Sequence, residues 1–170
     1  TLQGHQTWVN GIAFTHDGKL LASCSSDGTV RLWDVGTRQP RQVFNGQEGE
    51  LRSLAISPDG RTVAAGARNG KILAWAVAAG KSIRAPKGHT ADVWSLAFAP
   101  DGTTLVSGSG AWLQPGEVKV WETASGRLTK TLKHTGEALC LAISPDGKII
   151  AAGSWDRTIK IWKLDAAEQP

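Results

Sequence analysis

The chain has 170 residues, of which 41% are hydrophobic and 20% charged, with 20 Gly, eight Trp, two Cys and no Met or Tyr. Its net charge of +4 is spread along the chain without a run of one sign, which disfavours a nucleic-acid surface, since that needs clustered positive charge. The longest apolar runs are a few residues, too short for a membrane span or a secretory leader. The expectation is therefore one soluble, cytoplasmic domain over residues 1–170, with Thr1 reading as a processing boundary because no initiator Met precedes it.

The chain repeats along most of its length. Taking His5, Gln47, His89 and His134 as equivalent points gives spacings of 42, 42 and 45, a period characteristic of propeller blades. The units run over about 5–46, 47–88, 89–133 and 134–165, with 1–4 as the remnant of an outer strand.

Each unit reads as a run of short strands. In the first, Ile12 and Phe14 alternate around Ala13, and period two sends the large residues to one face. Asp17-Gly18 turns the chain into a second strand and Asp27-Gly28 into a third, which ends at Trp33; Asp-Gly supplies the positive φ of a tight hairpin. A weak fourth strand covers Arg41 to Phe44. The second unit repeats this with Leu54, Ala55 and Ile56, the turns Asp59-Gly60 and Asn69-Gly70, Trp75, and a fourth strand from Ser82 to Ala85. The third has Leu96, Ala97 and Phe98, the turn Asp101-Gly102, Trp121, and Leu128 to Leu132, with an insertion around Ala111 to Gly116 replacing its second turn. The fourth has Leu141, Ala142 and Ile143, the turns Asp146-Gly147 and Asp156-Arg157, and Trp162, and no outer strand is expected in "KLDAAEQP" after it. Cys24 and Cys140 lie in apolar strand runs and read as small hydrophobes, not as a disulfide.

Gly4-His5, Gly88-His89, the Ser-Pro-Asp-Gly turns and Trp33-Asp34 at this spacing resemble the WD-repeat (WD40-type) β-propellers over nearly the whole chain. The resemblance implies an all-β fold of four-stranded antiparallel blades and a non-catalytic protein-interaction scaffold. It also disposes of an apparent Ser-His-Asp triad. His5, Ser23 and Asp27 occupy the positions that form a structural hydrogen-bond chain with the blade's tryptophan, here Trp33. The third unit keeps His89, Ser107 and Trp121, the fourth keeps His134, Asp156 and Trp162, and the second keeps only Trp75. The first blade is thus expected to be the best braced and the second the least.

Other chemistry is missing from the sequence. "GSGAWL" (108–113) lacks the third glycine of a dinucleotide loop. There is no Walker loop, no CxxC and no pair of histidines at metal spacing. No enzyme, cofactor or metal is expected.

By the same resemblance, three positions per blade line the top face. They are Trp8, Glu50, Asp92 and Glu137; Asn10, Arg52, Trp94 and Leu139; and Ser26, Arg68 and Trp155, with Trp112 added by the insertion. Four tryptophans therefore repeat as framework, and the other four gather where a partner would bind; Trp is enriched at interaction hot spots. The mixed charges of Glu50, Arg52, Arg68, Asp92 and Glu137 suit a protein or peptide.

Four blades make about half a ring, leaving apolar faces open. Two chains head to tail would close an eight-bladed homodimer, with Thr1 to Gln3 of each beside the fourth blade of the other. The alternatives are a fragment of a longer propeller, a strained four-bladed ring, a higher assembly, or a purely structural or engineered self-assembling half-propeller with no partner beyond its own copies.

Overall fold

The computed structural model describes residues 1–164. Fifteen strands form four antiparallel sheets in chain order. The first contains β1 (Val9–Phe14), β2 (Leu20–Ser25), β3 (Thr29–Asp34) and β4 (Pro40–Asn45), and the second contains β5 (Leu51–Ile56), β6 (Thr62–Ala67), β7 (Ile72–Ala76) and β8 (Lys81–Ile83). The third contains β9 (Val93–Phe98), β10 (Thr104–Ser109), β11 (Glu117–Glu122) and β12 (Arg127–Lys133), and the fourth, among the described residues, contains β13 (Ala138–Ile143), β14 (Ile149–Ser154) and β15 (Ile159–Lys163). Residues 1–8 carry no strand.

Every sheet is a meander built by the same turn. Gly18, Gly60, Gly102 and Gly147 all lie near φ +70°, while the preceding aspartates do not. The glycine alone supplies the left-handed residue, and the Asp side chain has a different task. Asp17, Asp59, Asp101 and Asp146 each accept from the backbone N–H two residues on, at 2.9–3.1 Å, which closes the turn from the inside. The outer strand of the second sheet stops at Ile83, short of the Ala85 expected from sequence. Pro86 has no N–H to give to a ladder, which limits how far this strand can extend.

The sheets pack face to face through three apolar seams. Ala22, Cys24, Val30, Leu32 and Phe44 of blade 1 meet Leu51, Leu54, Val63, Ala65 and Trp75 of blade 2. Ala55, Ala64 and Ile72 meet Val93, Leu96, Leu105 and Trp121. Val106, Val118 and Val120 meet Ala138, Ile150 and Ala152. Each fully buried Val or Leu contributes about 1.5–3 kcal/mol, so the seams, not the short hairpins, hold the arc together.

The two ends of the arc are open. Ile159 and Ile161 of blade 4 sit where Val30 and Leu32 are buried in blade 1, yet they are 73% and 68% exposed. At the other end Val9 and Ile12 take the places of Leu51 and Leu54, and they too are exposed. Cys24 is buried in the first seam, whereas Cys140 is exposed, because the face of blade 4 it belongs to has no blade over it. Both thiols are free, and burial pushes that of Cys24 up to about 12.

Candidate functional site: the loop edge of the blades

One edge of the arc is formed by the loops entering β1, β5, β9 and β13 and those leaving β2, β6, β10 and β14. The two sets are pinned together by backbone hydrogen bonds. Ser26 N–H donates to the Trp8 carbonyl (3.0 Å), Arg68 N–H to the Glu50 carbonyl (2.9 Å), and Gly110 N–H to the Asp92 carbonyl (3.3 Å).

Behind this edge lies the hydrogen-bond chain of blade 1. His5 Nδ1 is 2.9 Å from Asp27 Oδ2 and His5 Nε2 is 2.7 Å from Ser23 Oγ. Trp33 Nε1 donates to the same Ser23 Oγ at 2.8 Å. A proton on Nδ1 facing the carboxylate leaves Nε2 to accept from the serine. The order of groups is that of a hydrolytic triad, but Ser23 is buried and its oxygen is already engaged by the indole. A nucleophile needs an open approach for substrate, and this one has none. Burial alone would raise the carboxyl of Asp27. Hydrogen bonds from Thr29, Gln6 N–H and His5 outweigh that and hold it well below the usual carboxylate range.

The chain thins out in later blades. In blade 3, His89 Nε2 meets Ser107 Oγ at 2.6 Å and Trp121 Nε1 donates to that oxygen at 2.7 Å. Its Nδ1 has no hydrogen-bond partner among the described residues, and Glu117 Oε2 stands 3.9 Å away, drawn to Lys119. Burial, with the charge of Lys119, pushes His89 down to about 4. Glu117 and Lys119 escape a sequence reading because the insertion hides which residue starts β11; the register sets Glu117 where Thr29 stands in blade 1. In blade 4, Ala152 replaces the serine, His134 Nδ1 lies 3.5 Å from Asp156 Oδ2, and the buried Nε2 is unpartnered among the described residues. Hydrogen bonds from Thr135 and Thr158 hold Asp156 below the usual range. His134 stacks edge-on to Trp162. In blade 2, Trp75 instead stacks on Phe44 of the preceding blade, 5.5 Å between centroids.

The residues expected on the top face all fall on the loop edge or at the strand ends beside it. Trp8, Glu50, Asp92 and Glu137 precede the inner strands, and Ser26, Arg68 and Trp155 follow the second strands. Asn10, Arg52, Trp94 and Leu139 lie inside the inner strands, at a feature that sequence does not disclose. The register skips one residue in each blade, between Val9 and Gly11, Leu51 and Ser53, Val93 and Ser95, and Ala138 and Cys140. Those four side chains are the extra residues of four β-bulges, released from ladder pairing. Asn10 Nδ2 donates to Ser26 Oγ (2.8 Å) and to the Leu51 carbonyl of the next blade (2.7 Å). Trp94 Nε1 donates to the Gly110 carbonyl at 3.0 Å.

Charges alternate along the edge. Arg68 and Arg52 each meet Glu50 at 3.0 Å, Arg52 reaches Asp92 at 3.8 Å, and its guanidinium lies 5.1 Å from the centroid of Trp94. The series ends on Glu137, expected on an open rim but only 4% exposed. Gly110 admits this: a Cβ there would stand 2.6 Å from Glu137 Cα. Burial first, and the charge of Asp92 second, raise the carboxyl of Glu137; Asp92 is likewise raised by burial against the pull of Arg52 and Arg68.

Beside Glu137 the insertion and blade 4 enclose a cleft of about 290 Å³, lined by Trp112, Leu113, Gln114, Thr135, Glu137 and Trp155 among others. Trp112 and Trp155 are 67% and 61% exposed and meet edge to face, 5.5 Å between centroids. Leu113 at the tip of the insertion has φ 58°, a conformation that is strained for a bulky residue. No group of three or more His, Cys, Asp or Glu among the described residues is placed to hold a metal ion, and no helix is long and apolar enough to cross a membrane.

Comparison with known proteins agrees with this architecture. A 51-residue segment is 39% identical to the probable E3 ubiquitin ligase complex SCF subunit sconB of Aspergillus terreus, covering 30% of this chain and 8% of that protein. A 52-residue segment is 38% identical to an F-box protein of Saccharomyces cerevisiae, covering 31% and 8%. Another of 52 residues is 44% identical to the WD repeat-containing protein 89 homolog of Dictyostelium discoideum, covering 31% and 14%. The matched segments thus span a small fraction of these relatives' length. The family described as WD domain, G-beta repeat matches residues 1–34, 38–76, 80–122 and 126–163, the last three matches each joining the outer strand of one sheet to the first three strands of the next, and the chain belongs to that family.

Proposed function

We propose that the chain is a non-catalytic interaction platform whose loop edge holds a protein or peptide segment. The observation that carries this reading is the exposure of Trp8, Trp112 and Trp155 on one edge, with Trp94 beside them, outside the framework set. Large aromatics left in water on a rigid frame are the residues that dominate binding energy when a partner covers them. The mixed charges between them favour a protein segment over a polyanion. Relatives named as an SCF subunit and an F-box protein support work in protein assemblies. The free thiols of Cys24 and Cys140 suit the reducing conditions of the cytoplasm, where we place the protein.

Replacing Trp94 and Trp155 together with Ala should abolish capture of a partner by the immobilised chain while the fold is retained, as read by circular dichroism. Equal capture by the double variant refutes the platform.

A second reading concerns the open faces. Ile159 and Ile161 at one end and Val9 and Ile12 at the other repeat the two sides of the internal seams. We infer that they pair with each other between two copies, head to tail, as an eight-bladed ring. As a self-assembling structural module this needs no further partner. A mass in solution twice that of the single chain is expected, and a folded monomer contradicts it.

A further inference from the structure

The edge of the arc contains one assembled arginine site and one that lacks its arginine. At the first, Arg52 lies against Trp94 and between Glu50 and Asp92, so a guanidinium is held by an aromatic face and two carboxylates. Glu50 has that arginine two residues further along the chain, inside β5. At the second, Glu137 stands where Glu50 does, but the residue two positions on is Leu139. Among the described residues the Glu137 carboxylate has no hydrogen bond and no cation within ion-pair distance, although the residue is more than nine-tenths buried. The residue lines the cleft and its carboxylate is not sealed from solvent, so the charge is available to a cation that enters there. Two tryptophans with ring planes 72° apart share its cleft, and their electron-rich faces attract a cation once water is excluded.

We propose that the cleft formed by Trp112, Trp155 and Glu137 binds a single arginine side chain supplied by the partner. The site combines the same kinds of group that hold Arg52, indole and carboxylate, but with two tryptophans and one acid in place of one tryptophan and two acids. Its volume of about 290 Å³ lies at the small end of the roughly 300–1,000 Å³ of ligand sites and gives room for one long side chain. Arginine fits better than lysine because a planar guanidinium stacks on an indole and donates to a carboxylate in the same pose. Trp112 and Leu113, the latter at φ 58°, both line the cleft. This inference rests on the platform reading for its biological occupant, but the site itself is testable without one.

The test uses N-acetyl-arginine methylamide as the probe and its citrulline counterpart, which has the same shape without the charge. Binding is followed by the indole N–H resonances of Trp112 and Trp155 in the folded chain. The arginine probe should shift both, and the citrulline probe should bind roughly tenfold or more weakly, the scale of one charge-assisted contact. Glu137→Gln should reduce arginine affinity by a similar factor and bring the two probes level. The variant keeps the size of a side chain that has no hydrogen bond to lose, so the blade should stay folded; if it fails to fold, Trp155→Ala serves, and must weaken the arginine probe. Equal binding of the two probes to the wild-type chain, or no shift at either indole, overturns the proposal. Failure of the platform is separable. If partner capture is lost in the Trp94 and Trp155 double variant while the probes bind alike, the platform stands and the arginine site falls. If the arginine probe binds as stated while capture survives the double variant, the site stands and the platform falls.

Discussion

His89 is a residue whose protonation just below neutral pH is changed by folding. It is buried against Ser107 and Trp121, with Lys119 close by, and its proton affinity falls from 6.5 to about 4. The unfolded chain therefore takes up a proton that the folded chain refuses. Stability from this group is fully present above pH 6.5 and is lost as the pH drops from there toward 4, by up to about 3 kcal/mol. The carboxylates held low, Asp27 and Asp156 among them, lose their contribution only at still lower pH. Urea midpoints measured across pH 7 to 4.5 should fall for the wild-type chain. His89→Gln should flatten that fall, and an unchanged slope in the variant would assign the effect to other groups.

At the scale of elements, the inner strands β5, β9 and β13 each pack against the first two strands of the preceding blade as well as pairing within their own sheet. Leu51 at the start of β5 is fully buried in the seam with blade 1. Leu51→Ala should cost about 2–4 kcal/mol in chemical denaturation. The same change at the equivalent Val9, which has no blade over it, should cost under about 1 kcal/mol. A similar loss at both positions would mean that the single chain is covered at that end in solution. The four repeats and their turns were legible in the sequence because a period of 42–45 and a glycine at each hairpin are local signals. The positions of the edge residues were legible too, as offsets from a repeated histidine. The bulges were not, since a bulge is a property of two paired strands and no single strand carries its mark. Nor was the burial of Glu137, which depends on the missing side chain of Gly110 in another repeat.

For the molecule as a whole, the open ends set the behaviour. A seam needs a forward face such as Ile159 and Ile161 and a backward face such as Val9 and Ile12, and this arc presents one of each. Ile161→Glu places a charge in the proposed contact and in no internal seam. It should leave the circular dichroism spectrum unchanged and convert a two-chain species to a single chain by light scattering. A variant that keeps its mass would move the contact elsewhere on the surface.

The four bulges carry a further meaning at this scale. Asn10, Arg52, Trp94 and Leu139 have nothing in common chemically, yet all four are accepted at one geometric position without disturbing the ladders on either side. A strand residue in regular pairing is constrained by the residues opposite it; the residue pushed out by a bulge is not. The arc therefore separates what must stay constant from what is free to change, and does so at the same height in every blade. It amounts to a set of interchangeable letters on a fixed line, so a new surface can be composed one blade at a time while the fold beneath it remains as it was.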